Sequence, residues 1–187
     1  MRVLKLLRTA ITLFLFFTVV CGVLYTGVVT GIAQLVFPSQ ANGSVIQTTN
    51  ASNEEVAVGS KWIAQTFTDP AYMIGRPDWD RNLSPTSEVL KTLVQERVEW
   101  FEELDPDNPE PIPNDLLSAS GSGVDPNISP EAAAYQVNRI AKERNLSKEV
   151  VQAVIKQQTT GRSLGIWGEP TVNVLGVNLA LDETVAK

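Results

Sequence analysis

Apolar residues crowd the start of the chain and then thin into stripes. From Thr9 to Asn53 run 45 residues without a charge, and Ile11 to Val36 is almost unbroken hydrocarbon. A helix rising ~1.5 Å per residue crosses ~30 Å of hydrocarbon with about 20 residues, so this run is long enough to span a bilayer with some tilt. The pattern predicts a short N-terminal stub over 1–8, a transmembrane helix over 9–37, a polar neck over 38–60 and a soluble domain over 61–187. In the neck, Asn42-Gly43 marks a turn and Val45-Ile46 a short strand. Trp62, Ile63 and Phe67 are expected in a first core element, with a turn at Gly75-Arg76-Pro77. Helical spacing of Leu90, Leu93, Val94, Phe101 and Leu104 predicts an amphipathic helix opened by Ser84 as N-cap and Pro85 at its first position. Four prolines between Pro106 and Pro113 then impose an extended loop.

A second helix is expected from the Ser129 cap and Pro130, burying Ala133, Val137, Ile140 and Ala141. Asn145 ends it, Ser147 caps a third helix that buries Val150, Val151, Val154 and Ile155, and Gly161 stops that one. The two form a helical hairpin. After a turn over Gly165–Pro170, the run Val172-Asn173-Val174-Leu175 reads as a strand. The expected class is α+β: one transmembrane helix, then a single extracytoplasmic domain of about three helices packed with short strands.

Charge sets the expected orientation. The only charges before the apolar run are Arg2, Lys5 and Arg8, and the next basic residue is Lys61, so the positive-inside bias puts the N-terminus in the cytoplasm and the domain outside, at the cell membrane. All 21 acidic residues follow the run against 12 of the 15 basic ones, giving the domain a net charge of −9, which disfavours nucleic acid and anionic lipid as partners. A cleaved signal competes with a permanent anchor, with Gly31-Ile32-Ala33 as a cut site, but a secretory h-region runs to only about 15 residues. Gly27 and Gly31 form a small-xxx-small pair on which a second membrane helix can pack closely.

Histidine is absent and the single cysteine, Cys21, lies within the apolar run. That removes Ser-His and Cys-His nucleophiles, His/Cys metal sites and any disulfide within the domain. The best remaining candidate for ligand or partner contact is Ser118 to Asp125. There Gly121 and Gly123 allow positive φ and could turn backbone N–H groups into an anion nest, to which Ser118, Ser120 and Ser122 add hydroxyls. Asp125 opposes a second anion, and no Gly-Lys-Ser/Thr follows, so this is not a Walker loop. Arg76 and Arg162 could each fork onto a carboxylate inside the domain or on a partner. Gln157 and Gln158 could hydrogen-bond a nucleotide or water, and Glu169, a candidate for ligand or partner contact, could be catalytic only with a positioned partner and a raised pKa.

Several motifs together give a family resemblance: Gln40-Ala-Asn-Gly-Ser44, Gly75-Arg76-Pro77, Asn82-Leu-Ser-Pro-Thr86, Ile112-Pro-Asn-Asp-Leu116, Ser118-Ala-Ser-Gly-Ser-Gly-Val-Asp-Pro126, Ile128-Ser-Pro130, Ala134-Tyr-Gln-Val137, Gly168-Glu-Pro-Thr-Val-Asn-Val-Leu175 and Asn178-Leu-Ala-Leu-Asp182. The whole chain resembles KdpC, the C subunit of the bacterial Kdp potassium-transporting ATPase. It departs from that family at Asn127 and Gln158, where histidine is frequent. The resemblance implies an accessory subunit without catalytic residues or a tightly bound cofactor. Its partners would be a KdpA-like channel subunit that handles potassium and a KdpB-like P-type ATPase subunit that handles ATP. It also implies a catalytic chaperone that raises the ATP affinity of the B subunit. A different class of reading, a membrane-anchored Ser/Lys hydrolase, would need a nucleophilic serine beside a desolvated lysine, which Ser60-Lys61 adjacency does not supply.

Overall fold

The computed structural model describes residues 2–49, 54–78 and 83–185; Asn82, first residue of the Asn82–Thr86 motif, lies outside them. By contacts the chain divides into two compact units, Met1–Val45 and Ile46–Lys187.

In the first unit, helix α1 (Arg2–Phe17) passes through a π-helical stretch (Thr18–Tyr25) into α2 (Thr26–Val36), so the helix is continuous from Arg2 to Val36 and includes the basic stub. None of its side chains is buried. Hydrocarbon exposed on every side and no charge after Arg8 make it long and apolar enough to cross a membrane. The π stretch widens the turn, and Thr26 Oγ1 donates 3.1 Å to the Cys21 carbonyl, five residues back. Pro38 opens the short helix α3 (Pro38–Ala41), and Gly43 takes a φ of +84° in the turn that follows.

Strand β1 (Val45–Thr49) starts at the boundary and, from Ile46 on, opens the second unit, where it pairs with β2 (Glu55–Ser60). Trp62 and Ile63 are exposed, contrary to the expected core element; only Phe67 of that group packs on the core. Helix α4 (Glu88–Leu104) starts three residues after the expected cap, at Ser87, because Ser84 instead turns the chain through its hydroxyl and carbonyl. Of its apolar stripe only Phe101 is buried, stacked edge-on against Trp100 and Tyr135. The proline segment then leads to α5 (Asn114–Leu117), which buries Leu116.

Strand β3 (Asn127–Ile128) precedes α6 (Pro130–Tyr135), and here the Ser129 hydroxyl accepts from the Ala132 amide at 3.0 Å, as an N-cap should. The expected second helix is broken at Gln136 into α6 and α7 (Val137–Glu143), though the predicted stripe is buried throughout. Asn145 takes a φ of +52° and the Leu146 amide reaches back 2.9 Å to the Ala141 carbonyl, a Schellman ending. Ser147 then caps α8 (Lys148–Gln157), which ends before Gly161, at Gln158. Strand β4 (Thr159–Thr160) follows.

Strand β5 (Thr171–Asn173) is the centre of an antiparallel sheet ordered β3-β5-β4, pairing Ile128 and Thr159 with Val172. The expected strand through Leu175 stops at Asn173. Its side chain accepts the Gly176 amide at 2.8 Å and so starts helix α9 (Val174–Val185), which the alternation had concealed. Gly176 sits against the end of α8: a Cβ there would lie 2.5 Å from Gln158 Oε1. Helices α6 to α9 and Phe101, Met73 and Ile74 close one core.

Candidate functional site

The segment Pro70–Gly75 has no regular secondary structure yet runs through the core, with Met73 and Ile74 fully buried. A buried irregular backbone must find partners for its polar groups elsewhere. Each of its six carbonyls accepts from a side chain on a helix or at a helix end. Arg139 donates to Pro70 and, at 3.0 Å, to Tyr72; Arg144 Nε donates to Ala71 at 2.6 Å; Asn178 and Gln136 donate to Met73 and Ile74 at 3.0 Å each; and Arg97 donates to Gly75 at 3.1 Å. Asn178 and Gln136 also accept the Met73 and Ile74 amides, at 2.7 and 2.8 Å. Each amide side chain thus pairs with the backbone as a neighbouring strand would. Burial brings Arg97 and Arg139 down to about 10, so both stay charged at neutral pH and donate charge-assisted bonds. Arg144 also pairs with Asp182 at 2.8 Å.

Held this way, the segment delivers Arg76 into a cleft of about 1260 Å³. One wall is the proline segment, from Glu110 to Asn114. The other is formed by Asp125, Asn127 and the start of α6, with Glu169, Pro170 and Thr171 closing an edge. Several of its polar groups are already committed. Asp115 accepts the Ser129 amide at 2.6 Å and the Ser129 hydroxyl at 3.2 Å, Asp125 accepts from Asn127 at 3.0 and 3.2 Å, and Glu169 lies 3.5 Å from Arg162. Tyr135 lines the cleft with its hydroxyl protonated, burial and then the Asp105 charge raising its pKa. Arg76 is different. Its Nε is buried without a hydrogen-bond partner among the described residues.

Of the sequence candidates the structure brings Arg76, Ser118, Asp125 and Glu169 to this cleft and leaves Ser120, Gly121, Ser122, Gly123, Gln158 and Arg162 off its lining. In the Ser118–Asp125 loop only Gly123, at φ +68°, uses the left-handed region; Gly121 does not. Three of the loop's N–H groups turn inward: Gly123 donates to the Ser120 carbonyl at 3.1 Å, Val124 to the Ser122 hydroxyl at 3.3 Å and Asp125 to the Ser120 hydroxyl at 3.4 Å. These three amides are bonded within the turn itself and so are turned away from an outside anion. Gln158 packs against Gly176 and does not face the cleft. Gly27 and Gly31 have open space where a side chain would be. Every described lysine is exposed, so the desolvated base of a Ser/Lys hydrolase is not assembled among the described residues.

Sequence reasoning missed Gln136, Arg139 and Asn178. Gln136 and Asn178 sit inside two of the quoted motifs, and a polar residue recurring on an otherwise apolar helical stripe was the available cue. Residues 7–183 match the family model described as KdpC: K+-transporting ATPase, c chain. The chain is similar to proteins named potassium-transporting ATPase KdpC subunit. It is 53% identical to that of Listeria monocytogenes over 184 residues, 97% of both chains, and 46% identical to that of Dechloromonas aromatica, over 95% of this chain and 96% of the other. Against that of Methylococcus capsulatus the identity is 44%, over 94% and 96%.

Proposed function

This chain belongs to the KdpC family, the c chain of K+-transporting ATPases, and from that membership we propose that it is the accessory subunit of a high-affinity, ATP-driven potassium uptake complex. Its partners are a KdpA-like channel subunit and a KdpB-like P-type ATPase subunit. The anchor crosses the cell membrane once with its N-terminus in the cytoplasm, and the domain lies outside, over the mouth of the channel-like subunit. The chain contributes no catalytic group of its own.

One observation carries the reading. The domain spends its buried polar groups on holding its own backbone, and Arg76, whose buried Nε has no partner among the described residues, lines an open cleft. Such an arrangement suits gripping a partner's acceptor groups and offers no nucleophile or base. A domain on the far side of the membrane from ATP raises the B subunit's ATP affinity by linkage: it binds one conformation of the pump more tightly, and that conformation holds nucleotide better.

The decisive measurement compares the assembled complex with one in which the anchor is kept and the domain removed. A coupling of 1–3 kcal/mol predicts a rise of about fivefold or more in the KM for ATP. An unchanged KM in an intact complex would remove the chaperone role. A C-terminal reporter that works only outside the cytoplasm is expected to be active, and silence there with activity of a cytosolic reporter would invert the topology.

A further inference from the structure

Between β4 and β5 the chain folds a small hairpin that none of the site chemistry uses. Ser163 and Trp167 form an antiparallel bridge, with the Ser163 amide donating 2.8 Å to the Trp167 carbonyl and the Trp167 amide 3.0 Å to the Ser163 carbonyl. Gly165 donates back to the Arg162 carbonyl at 3.1 Å and Ile166 to Ser163 at 3.2 Å. Leu164, Gly165 and Gly168 take φ of +54°, +75° and +83°; for Leu164 this left-handed conformation is uncommon and holds the side chain outward. At the base, Arg162 pairs with Glu169, which also edges the cleft.

This turn is bonded to itself, yet it points its apolar side chains into water. Leu164 is 91% exposed, Ile166 74% and Trp167 70%. Three large apolar groups clustered on one tip lose hydrophobic free energy unless something covers them. A tryptophan beside aliphatic neighbours on a preformed loop is also the composition of an interface anchor. Resting on the reading of the chain as a subunit of the complex, we infer that the Leu164–Trp167 tip is a plug that inserts into an apolar pocket on a partner subunit.

Charge selects this occupant over two others. Insertion into lipid favours basic residues beside the apolar ones, whereas Arg162, the one cation in the run Gly161–Pro170, is paired with Glu169 and the domain carries a net charge of −9. A second copy of this chain would have to offer an apolar socket, and its large cleft is edged by Glu110, Asp115, Asp125, Glu131 and Glu169. An uncharged pocket on a different protein is the complement that remains.

Two measurements test the plug. In complexes purified through a tagged partner subunit, the triple substitution Leu164→Ser, Ile166→Ser and Trp167→Ser is expected to weaken retention of this chain by about tenfold, with its own thermal unfolding unchanged. Equal retention of variant and wild type would overturn the inference, while failure of the wild-type chain itself to be retained would remove the subunit reading beneath it. A spin label on Leu164→Cys, with Cys21→Ser to silence the other thiol, reads the tip directly. Assembly should shield it from both aqueous nickel chelate and lipid-dissolved oxygen. Continued access to nickel, strong access to oxygen, or spin–spin broadening in the isolated chain would each overturn the plug, in favour of solvent, bilayer or self-association respectively.

Discussion

The N-terminal helix and the Pro70–Gly75 segment solve the same problem by opposite means. Both must satisfy backbone polar groups away from water. The helix does so with its own ladder, one bond per residue, and needs nothing from the rest of the chain; none of its side chains is buried. The segment has no ladder, so six carbonyls depend on arginines, an asparagine and a glutamine drawn from α4, α7 and its C-cap, α9 and the joint between α6 and α7. A self-contained solution survives most single substitutions. One distributed over distant side chains depends on each of them.

The sharpest break in that contrast is Arg139→Ala. It strips donors from the Pro70 and Tyr72 carbonyls and from Gln136, whose Oε1 it meets at 2.7 Å, at a site only 3% exposed. Gln136 Oε1 keeps the Ile74 amide, but leaving the two part-buried carbonyls of Pro70 and Tyr72 without their donor costs about 2–4 kcal/mol, a large share of a domain's whole stability. Urea unfolding of the detergent-solubilised full chain should therefore lose most of its midpoint. The matched change in the helix, Gly27→Leu, meets open space and should leave the domain's unfolding where it was. If both substitutions behave alike, the segment is not held as described.

This contrast also explains what could be read from sequence. The long helix, the Ser129 and Ser147 caps and the buried stripes of the hairpin helices follow from local rules, so periodicity and capping residues displayed them. The Gln136 break, the onset of α9 at Asn173 and the threading of Pro70–Gly75 are not displayed in that way. The first and last are set by side chains meeting backbone far away in sequence, as Gln136 meets Ile74 and Asn178 meets Met73, whereas the α9 onset is a local bond from Gly176 to Asn173 hidden inside an apolar run. The cleft followed the same rule. Ser118, Asp125 and Glu169 were picked out by residue type and do line it, but only the fold shows that Arg76 is the donor left unpaired there, and that the glycine-serine loop uses its own amides.

Ser129→Ala probes an intermediate case, a local cap tied to a distant residue through Asp115. Losing the bond to Ala132 costs about 1 kcal/mol, and the Asp115 contact adds to it, for about 1–2 kcal/mol in the same unfolding assay. Asp115→Asn with Ser129 intact should fall below that range. Arg76→Ala should do less still to stability, below about 1 kcal/mol, because Nε has no partner to strand. It should instead reduce retention of the chain by its partner subunits. A large stability loss without a retention loss would make Arg76 a structural residue.

The smallest effect separates the regions by pH. No charge lies between Thr9 and Asn53, so over that stretch the N-terminal helix has no carboxylate whose protonation could couple to folding. In the domain, Glu149 in the first turn of α8 is held below its usual 4.5 by its own backbone N–H and then by the Ser147 hydroxyl. A carboxylate whose folded pKa is depressed binds fewer protons in the native state than in the unfolded one. Its contribution is therefore present above 4.5 and disappears as pH falls through the folded value. Thermal unfolding of wild type and Glu149→Gln should differ slightly at pH 7, with wild type the more stable, and converge as the acid limb is descended. A difference that persists unchanged to the bottom of that limb would show that Glu149 acts through packing and not through its charge.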